Sequence, residues 1–190
     1  GTVPGVSGFQ VQIGSVEVLT PGDSPDVLVC MNPAALKANL QFVEKGKTII
    51  LDDEGFSSNH KLKKAQWDEN PLENGTMDDY NLIIAPITKL TTTALKDSGI
   101  GNKNIVRCKN MFALGIVYFM FDKPLDHTED FLNQKFSSKQ DIANANKKAL
   151  LAGYHYAETI EAISSNVKSI SAATIEKGIY RNIMGHQATA

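Results

Sequence analysis

Apolar and polar positions change their spacing several times along this chain. Phe9, Val11 and Ile13 alternate with Gln10 and Gln12, the two-residue period of a strand with one face in water, which predicts an antiparallel or edge strand. Val16 and Val18 predict a short second strand before the turn Thr20-Pro21-Gly22-Asp23. Val27-Leu28-Val29-Cys30-Met31 is instead a continuous apolar run rich in β-branched residues, as expected of a strand buried on both faces. Asn32-Pro33 follows directly, and Asn caps orphan helix amides while Pro suits the first helical position. Leu36, Leu40 and Val43 then recur at helical spacing until Gly46 closes the element. Thr48-Ile49-Ile50-Leu51 is the next buried strand, so residues 27–51 read as a βαβ unit. That unit implies a parallel sheet with a right-handed crossover.

Residues 53–80 are polar and weakly periodic, too long for a routine connector of about four to six residues, and read as a lid or a partner-contacting excursion. Leu82-Ile83-Ile84-Ala85 resumes the sheet. Thr88 is placed to cap a helix running to about Ser98, with Gly99 and Gly101 ending it, and Ile105-Val106 reads as a last short strand. Residues 110–121 are apolar nearly all round, which predicts a helix enclosed by protein, and Gly115 in its middle predicts close backbone packing. Asp126 with Glu129 three residues on has the spacing of a capping box, opening a helix that carries Phe131, Leu132 and Phe136. A long helix follows with Ile142, Ala145, Ala149, Ala152, Tyr156 and Ile160 on one stripe. Past about Ile163 the text turns to Ser and Ala, an interdomain linker by composition. The expected fold is α/β: a Rossmann-like, mostly parallel sheet flanked by helices in three layers, with a C-terminal linker.

Composition narrows the function classes. A chain of 190 residues with 42% hydrophobic and 21% charged positions is an ordinary globular sequence. Its net charge of -2 and scattered Lys and Arg give no reason to expect nucleic acid or anionic lipid. Without an h-region, and with its longest apolar run at residues 111–121, well short of the ~20 residues of a membrane span, it reads as cytoplasmic. Cys30 and Cys108 stand far apart and read as reduced, core or near-core thiols. Asn74-Gly75-Thr76 reads as an Asn-Gly turn rather than a glycosylation site.

Candidate chemistry is sparse. Asp52-Asp53-Glu54 ends a parallel strand, at the edge where open α/β sheets place ligands, and carboxylates there suit Mg²⁺; with no second acidic cluster, it reads first as a solvated acidic turn. Asn32 sits at the same edge, over a helix N-terminus, where it meets an anion or simply caps the helix. His60, His127, His155 and His186 show no metal spacing. Gly99-Ile100-Gly101 lacks the third glycine of a dinucleotide loop and follows a helix, and neither a nucleophile elbow nor a Gly-Lys-Ser/Thr phosphate loop is present. Lys123-Pro124 and Arg107-Cys108-Lys109 are basic spots flanking the apolar helix, available to a phosphate-bearing ligand but more often solvated.

Taken in order, several stretches resemble the gamma domain of 2-oxoacid:ferredoxin oxidoreductases, in the form fused at the front of the alpha subunit. Arg107-Cys108-Lys109-Asn110-Met111-Phe112-Ala113-Leu114-Gly115 is similar to that family's helix entry. Asp26-Val27-Leu28-Val29 before Asn32-Pro33, Asn70-Pro71-Leu72-Glu73 before Tyr80, and Asn146 with Ala152-Gly153-Tyr154 agree in order and spacing. Tyr180 through Ala188 resembles the opening of the following domain, which binds the aminopyrimidine side of thiamine diphosphate. The resemblance implies a gamma-type domain at residues 1–163, lacking its N-terminal βα unit, then a linker and the start of the pyrimidine domain at residues 164–190. It implies an enzyme that oxidatively decarboxylates a 2-oxoacid, 2-oxoglutarate more than pyruvate, to an acyl-CoA, with thiamine diphosphate, Mg²⁺ and an iron-sulfur cluster serving the whole enzyme. A beta subunit, ferredoxin and CoA are the implied partners, while this stretch alone is inactive and holds no cofactor. Within it, Asn32, Arg107 and Asn110 are the residues expected to touch CoA. The missing βα unit predicts an exposed edge that self-association covers. A nucleotide-binding regulatory module of Rossmann-like fold, or a purely structural assembly domain, is the competing reading.

Overall fold

The computed structural model describes residues 6–16, 18, 22–165, 168–171, 174–176 and 178. Within them, three strands form one parallel sheet in the order β1 (Val27–Cys30), β2 (Thr48–Asp52), β3 (Asn81–Ala85). The register sets Val27 beside Thr48 and Thr48 beside Asn81. β2 is buried at every position, as a central strand with both faces covered must be.

Alternation along the strands sorts side chains into two layers. Cys30, Ile49 and Leu51 face α1 (Pro33–Asn39), Val43 and the chain after β2. Ile50, Ile83 and Ala85 face the helical layer on the other side. The three-layer α/β architecture therefore follows from the strand pattern. Asn32 caps α1 as its sequence suggests, its Oδ1 accepting the Ala35 N–H at 2.8 Å. Gly46 closes the connection with a φ of +82°, a left-handed conformation that favours glycine.

The excursion at residues 53–80 is a packed layer. It contains α2 (Asn59–Lys64) and buries Phe56, Leu62, Ala65, Trp67 and Met77 against Cys30, Leu36, Ile49 and Leu51. The Trp67 indole N–H donates to the Pro33 carbonyl at 2.9 Å, satisfying a polar atom that burial would otherwise penalise. Its weak periodicity reflects irregular backbone carrying isolated anchors, which no helical or strand template detects.

The second layer consists of α3 (Ile87–Leu95), α4 (Asn102–Arg107), α5 (Lys109–Met120), α6 (Asp126–Lys135), α7 (Gln140–Thr159) and the short α8 (Glu161–Ser164). α5 is the enclosed apolar helix expected, burying Phe112, Ala113, Gly115, Ile116 and Met120. On α7 the buried centre runs through Ala145, Ala149, Leu150, Gly153 and Ala157. Ile142, Ala152, Tyr156 and Ile160, expected on the stripe, lie half-buried along its margin.

Four local expectations are corrected. Ile105-Val106 is not a strand but part of α4, where Ile105 packs with Cys108 and Leu95 at helical spacing; a two-residue β-branched signal yields to tertiary packing. Thr88 does not cap α3, which starts at Ile87, because its hydroxyl and N–H are both turned to Asp52. α6 begins at Asp126 with Leu125 in the cap position and no side-chain cap bond, so the capping box does not form. Residues 9–13 form no strand among the described residues, and Phe9 is 90% exposed; alternation makes a strand only where a neighbouring edge supplies the ladder. The stretch from Tyr180 to Ala188 lies outside the described residues.

Candidate functional site

The carboxyl ends of the parallel strands converge on one edge, where this sheet type offers ligands a crevice. β1 runs into Asn32, β2 ends in Asp52 followed by Asp53 and Glu54, and β3 leads through Pro86 to Thr88. Asp52 has no solvent exposure. Its carboxylate accepts the Thr88 N–H at 3.2 Å, the Thr88 hydroxyl at 2.5 Å and the Lys109 ammonium at 3.3 Å. Lys109 also donates to Thr88 Oγ1 at 3.2 Å. A buried charge persists only when paired and hydrogen-bonded; here the donors come from α3 and α5, so one carboxylate ties both helix starts to the end of β2. It also takes over the capping of α3 from a distant strand.

This cluster went unseen in the sequence. The acidic triplet reads as a solvated turn, yet only Asp53 and Glu54 are exposed; Lys109, grouped with Arg107 as a solvated basic spot, is 21% exposed at its side chain and paired. The available signal was parity: Asp52 continues the buried run of β2 and is still in register with Ala85.

Beside this cluster lies a cleft of about 580 Å³, lined by Asp53, Glu54, Phe56, Ser57, Asn70, Leu72, Glu73, Thr88 and Lys89. The Asn70 amide donates to Glu73 at 2.7 Å, and its carbonyl accepts the Leu72 N–H at 3.2 Å. Thus the Asn70-Pro71-Leu72-Glu73 motif builds one wall. Lys61 stands 3.7 Å from Glu54. With three carboxylates against Lys89 on its lining, the cleft attracts cations and hydrogen-bond donors and repels phosphate.

The three residues singled out from sequence occupy two places. Asn32 is half-buried and engaged as the α1 cap; Arg107 and Asn110 are exposed, at the end of α4 and the start of α5. No hydrogen bond or ion pair among the described residues joins Asn32 to either of them. His60 and His127 are exposed, His155 meets Glu158 at 3.1 Å on the surface, and His186 lies outside the described residues. Asn74-Gly75-Thr76 is the turn expected, with Gly75 at φ +81° and Asn74 Oδ1 accepting the Thr76 N–H at 3.1 Å.

Both thiols are buried and free. Burial pushes the Cys30 thiol up to about 12 and raises that of Cys108, so neither supplies a thiolate near neutrality. The Tyr156 hydroxyl is also raised, by burial first and then by the charge of Asp53. Among the described residues no group of three or more His, Cys, Asp or Glu forms a metal set, and no helix is long and apolar enough to cross a membrane.

Comparison with known proteins gives this arrangement its context. A solved 2-oxoglutarate:ferredoxin oxidoreductase from Magnetococcus marinus, with 2-oxoglutarate, coenzyme A and succinyl-CoA bound, superposes with a TM-score of 0.58 at 19% identity, over 83% of this chain and 24% of the other. That likeness is one of fold. The 2-oxoglutarate oxidoreductase subunit KorA of Mycobacterium tuberculosis is 45% identical over all 190 residues. The chain spans 29% of the length of that relative. The family model described as pyruvate ferredoxin/flavodoxin oxidoreductase matches residues 4–156, and the chain belongs to that family.

Proposed function

We propose that this chain is a gamma-type domain, residues 1–163, followed by a linker and the start of a pyrimidine-binding domain at residues 164–190, from the alpha subunit of a cytoplasmic 2-oxoacid:ferredoxin oxidoreductase that converts 2-oxoglutarate to succinyl-CoA. The observation that carries this reading is the 45% identity to a 2-oxoglutarate oxidoreductase subunit over the whole chain. The partners are the beta subunit, ferredoxin as electron acceptor and CoA as acyl acceptor.

The chain's own residues argue for an accessory role. Thiamine diphosphate needs a diphosphate-Mg²⁺ site and an iron-sulfur cluster needs thiolate ligands. The described residues do not fit either group: they hold no three-residue metal set, and Cys30 and Cys108 belong to different core clusters. In this reading the ligands come from the remainder of the alpha subunit and from the beta subunit. The domain then contributes by contacting its neighbours and bounding the approach to the thiamine site.

Arg107 and Asn110 are the residues of this domain that touch CoA, with Asn32 at the strand edge. An exposed guanidinium and an exposed amide suit the phosphates of CoA, and neither residue lines the acidic cleft. That cleft's carboxylates disfavour the alternative of a nucleotide-binding module, whose ligand would bring phosphate to the same sheet edge.

The complete alpha subunit, purified anaerobically with its beta partner, should reduce a viologen dye with 2-oxoglutarate only when CoA is present. NAD should not replace the dye, because an iron-sulfur relay passes single electrons whereas nicotinamide accepts a hydride. Arg107→Ala with Asn110→Ala should raise the KM for CoA about tenfold while leaving that for 2-oxoglutarate unchanged. Absence of CoA-dependent dye reduction with 2-oxoglutarate, pyruvate and branched oxoacids, in a complex verified for thiamine and iron, would overturn the assignment.

A further inference from the structure

We propose that residues 168–170 are a latch: they dock as a strap across the end of α5, close the domain at the edge opposite the cleft, and release without unfolding it. The inference does not depend on the enzyme assignment.

The end of α5 prepares the receiving site. The Asp122 N–H donates to the Phe119 carbonyl at 3.1 Å and the Lys123 N–H to the Tyr118 carbonyl at 2.9 Å. These two bonds make the helix stop in which the residue after the cap turns left-handed, a place glycine usually fills. Here it is Asp122, with a φ of +50°. The Met120 carbonyl is left over, because the residue four positions on is Pro124, which has no N–H to give.

The strap supplies what this turn lacks. The Lys168 N–H donates to the Met120 carbonyl at 2.7 Å. The Ser169 hydroxyl donates to the Asp122 carboxylate at 3.4 Å, and the Lys123 ammonium donates to the Ile170 carbonyl at 3.3 Å. An aspartate in a position that favours glycine thus has a use, since its carboxylate receives the strap. Lys123, by sequence a solvated spot or a phosphate contact, is half-buried and committed to a backbone carbonyl.

Both ends of this contact are anchored in the fold. Ahead of the strap, α8 buries Ile163 completely in the cluster that holds Met120 and Phe121. Beyond it, the Asp26 carboxyl, held low first by Lys47, also feels the Lys168 ammonium. α5 starts at the strands' carboxyl edge, where Lys109 meets Asp52, and Asp26 precedes β1, so the strap lies at the opposite edge, between the helical layer and the sheet.

Lys168 and Ser169 are exposed and Ile170 is half-buried. A segment held by a few solvent-reachable bonds with little apolar burial opens locally while the core stays closed. Docked, it fixes the point after Ile170 from which the following chain departs; released, that chain is tethered from α8 alone.

Hydrogen exchange on the 190-residue chain tests this amide by amide. The Lys168 N–H should exchange at least tenfold more slowly than in the unfolded chain, yet faster than that of Ile116, fully buried in α5. Lys123→Met and Ser169→Ala should each speed Lys168 by about three- to tenfold, the worth of one hydrogen bond, with Ile116 unchanged. Asp122→Gly separates the latch from the helix stop: it should speed Lys168 without lowering the melting temperature, since glycine suits the left-handed position. A Lys168 amide that exchanges at the unfolded rate overturns the proposal, as do variants that leave its rate unchanged. A Lys168 rate that always moves in step with Ile116 overturns it too, making these bonds part of the global fold.

Discussion

Gly115 of α5 and Gly153 of α7 lie against each other's helix backbone with no room for a side chain on either. A Cβ on Gly115 would collide with the Leu150 carbonyl oxygen and stand 2.7 Å from the Tyr154 nitrogen; one on Gly153 would collide with the Phe112 carbonyl. Two helices this close exchange backbone contact where most pairs exchange side chains, and the small residues Ala145, Ala149 and Ala157 extend the same seam along α7.

Gly115→Leu and Gly153→Leu should therefore each destabilise the chain by about 3 kcal/mol or more, because the neighbour to be displaced is rigid backbone. Thermal denaturation by circular dichroism reads this directly. Gly115→Ala should also lower the melting temperature, against the gain of up to about 1 kcal/mol that Gly→Ala brings on an exposed helix; a rise would refute the contact.

Lys109→Met should cost about 3–5 kcal/mol, since it strands the Asp52 carboxylate in the interior with only Thr88 to serve it. Asp52→Asn should cost less, as Lys109 retains partial access to water. Urea unfolding of both single variants and the double variant measures the coupling, and strict additivity would exclude the pair as an interacting unit.

The thiols should resist labelling in the native state at pH 8. Cys30, with its thiol pushed up to about 12, is almost wholly protonated there, and burial raises the Cys108 thiol as well. A chromogenic disulfide reagent should count two thiols only after denaturant is added, and rapid native labelling would contradict their burial.

Asp26 and Lys47 meet at 2.7 Å beside the start of β1. The hydrogen bond from Lys47 holds the Asp26 carboxyl below its usual value. A depressed carboxylate contributes stability that is present above its unfolded value of about 3.9 and is lost as pH falls through its folded value. Lys47, raised by the same partner, loses its share as pH rises through its folded value, above 10.5. Lys47→Met should flatten the stability profile in both windows, and added salt should weaken the wild-type effect because the pair is solvent-exposed.

Trp67 should report on the packing of residues 53–80 over the sheet. Its indole is bonded to the Pro33 carbonyl, and Lys37 stands 4.2 Å from the ring centroid. Trp67→Phe should cost about 1–3 kcal/mol by leaving that carbonyl unpaired. In the wild type, fluorescence and circular dichroism should unfold in a single coincident transition; separate transitions would make the excursion an independent unit.

Where a segment's fate depends on its own spacing, the sequence alone determined it. The βαβ unit at residues 27–51, its Asn32 cap, the parallel sheet, the enclosed α5 and the tight Gly115 position all follow from local periodicity, capping chemistry and side-chain size. The family was legible too, through the order of short motifs. Tertiary structure decided whatever needed a distant partner. Residues 9–13 have a strand's alternation without a ladder among the described residues, and Ile105-Val106 has strand-forming residues that fold into a helix over Leu95. Phe56, Leu62, Trp67 and Met77 anchor a stretch whose polarity reads as surface. The Asp52, Thr88 and Lys109 cluster is the sharpest case: its members are separated by 36, 21 and 57 positions. A carboxylate carries no local mark of whether water or an ammonium will meet it; only the convergence of β2, α3 and α5 makes that choice.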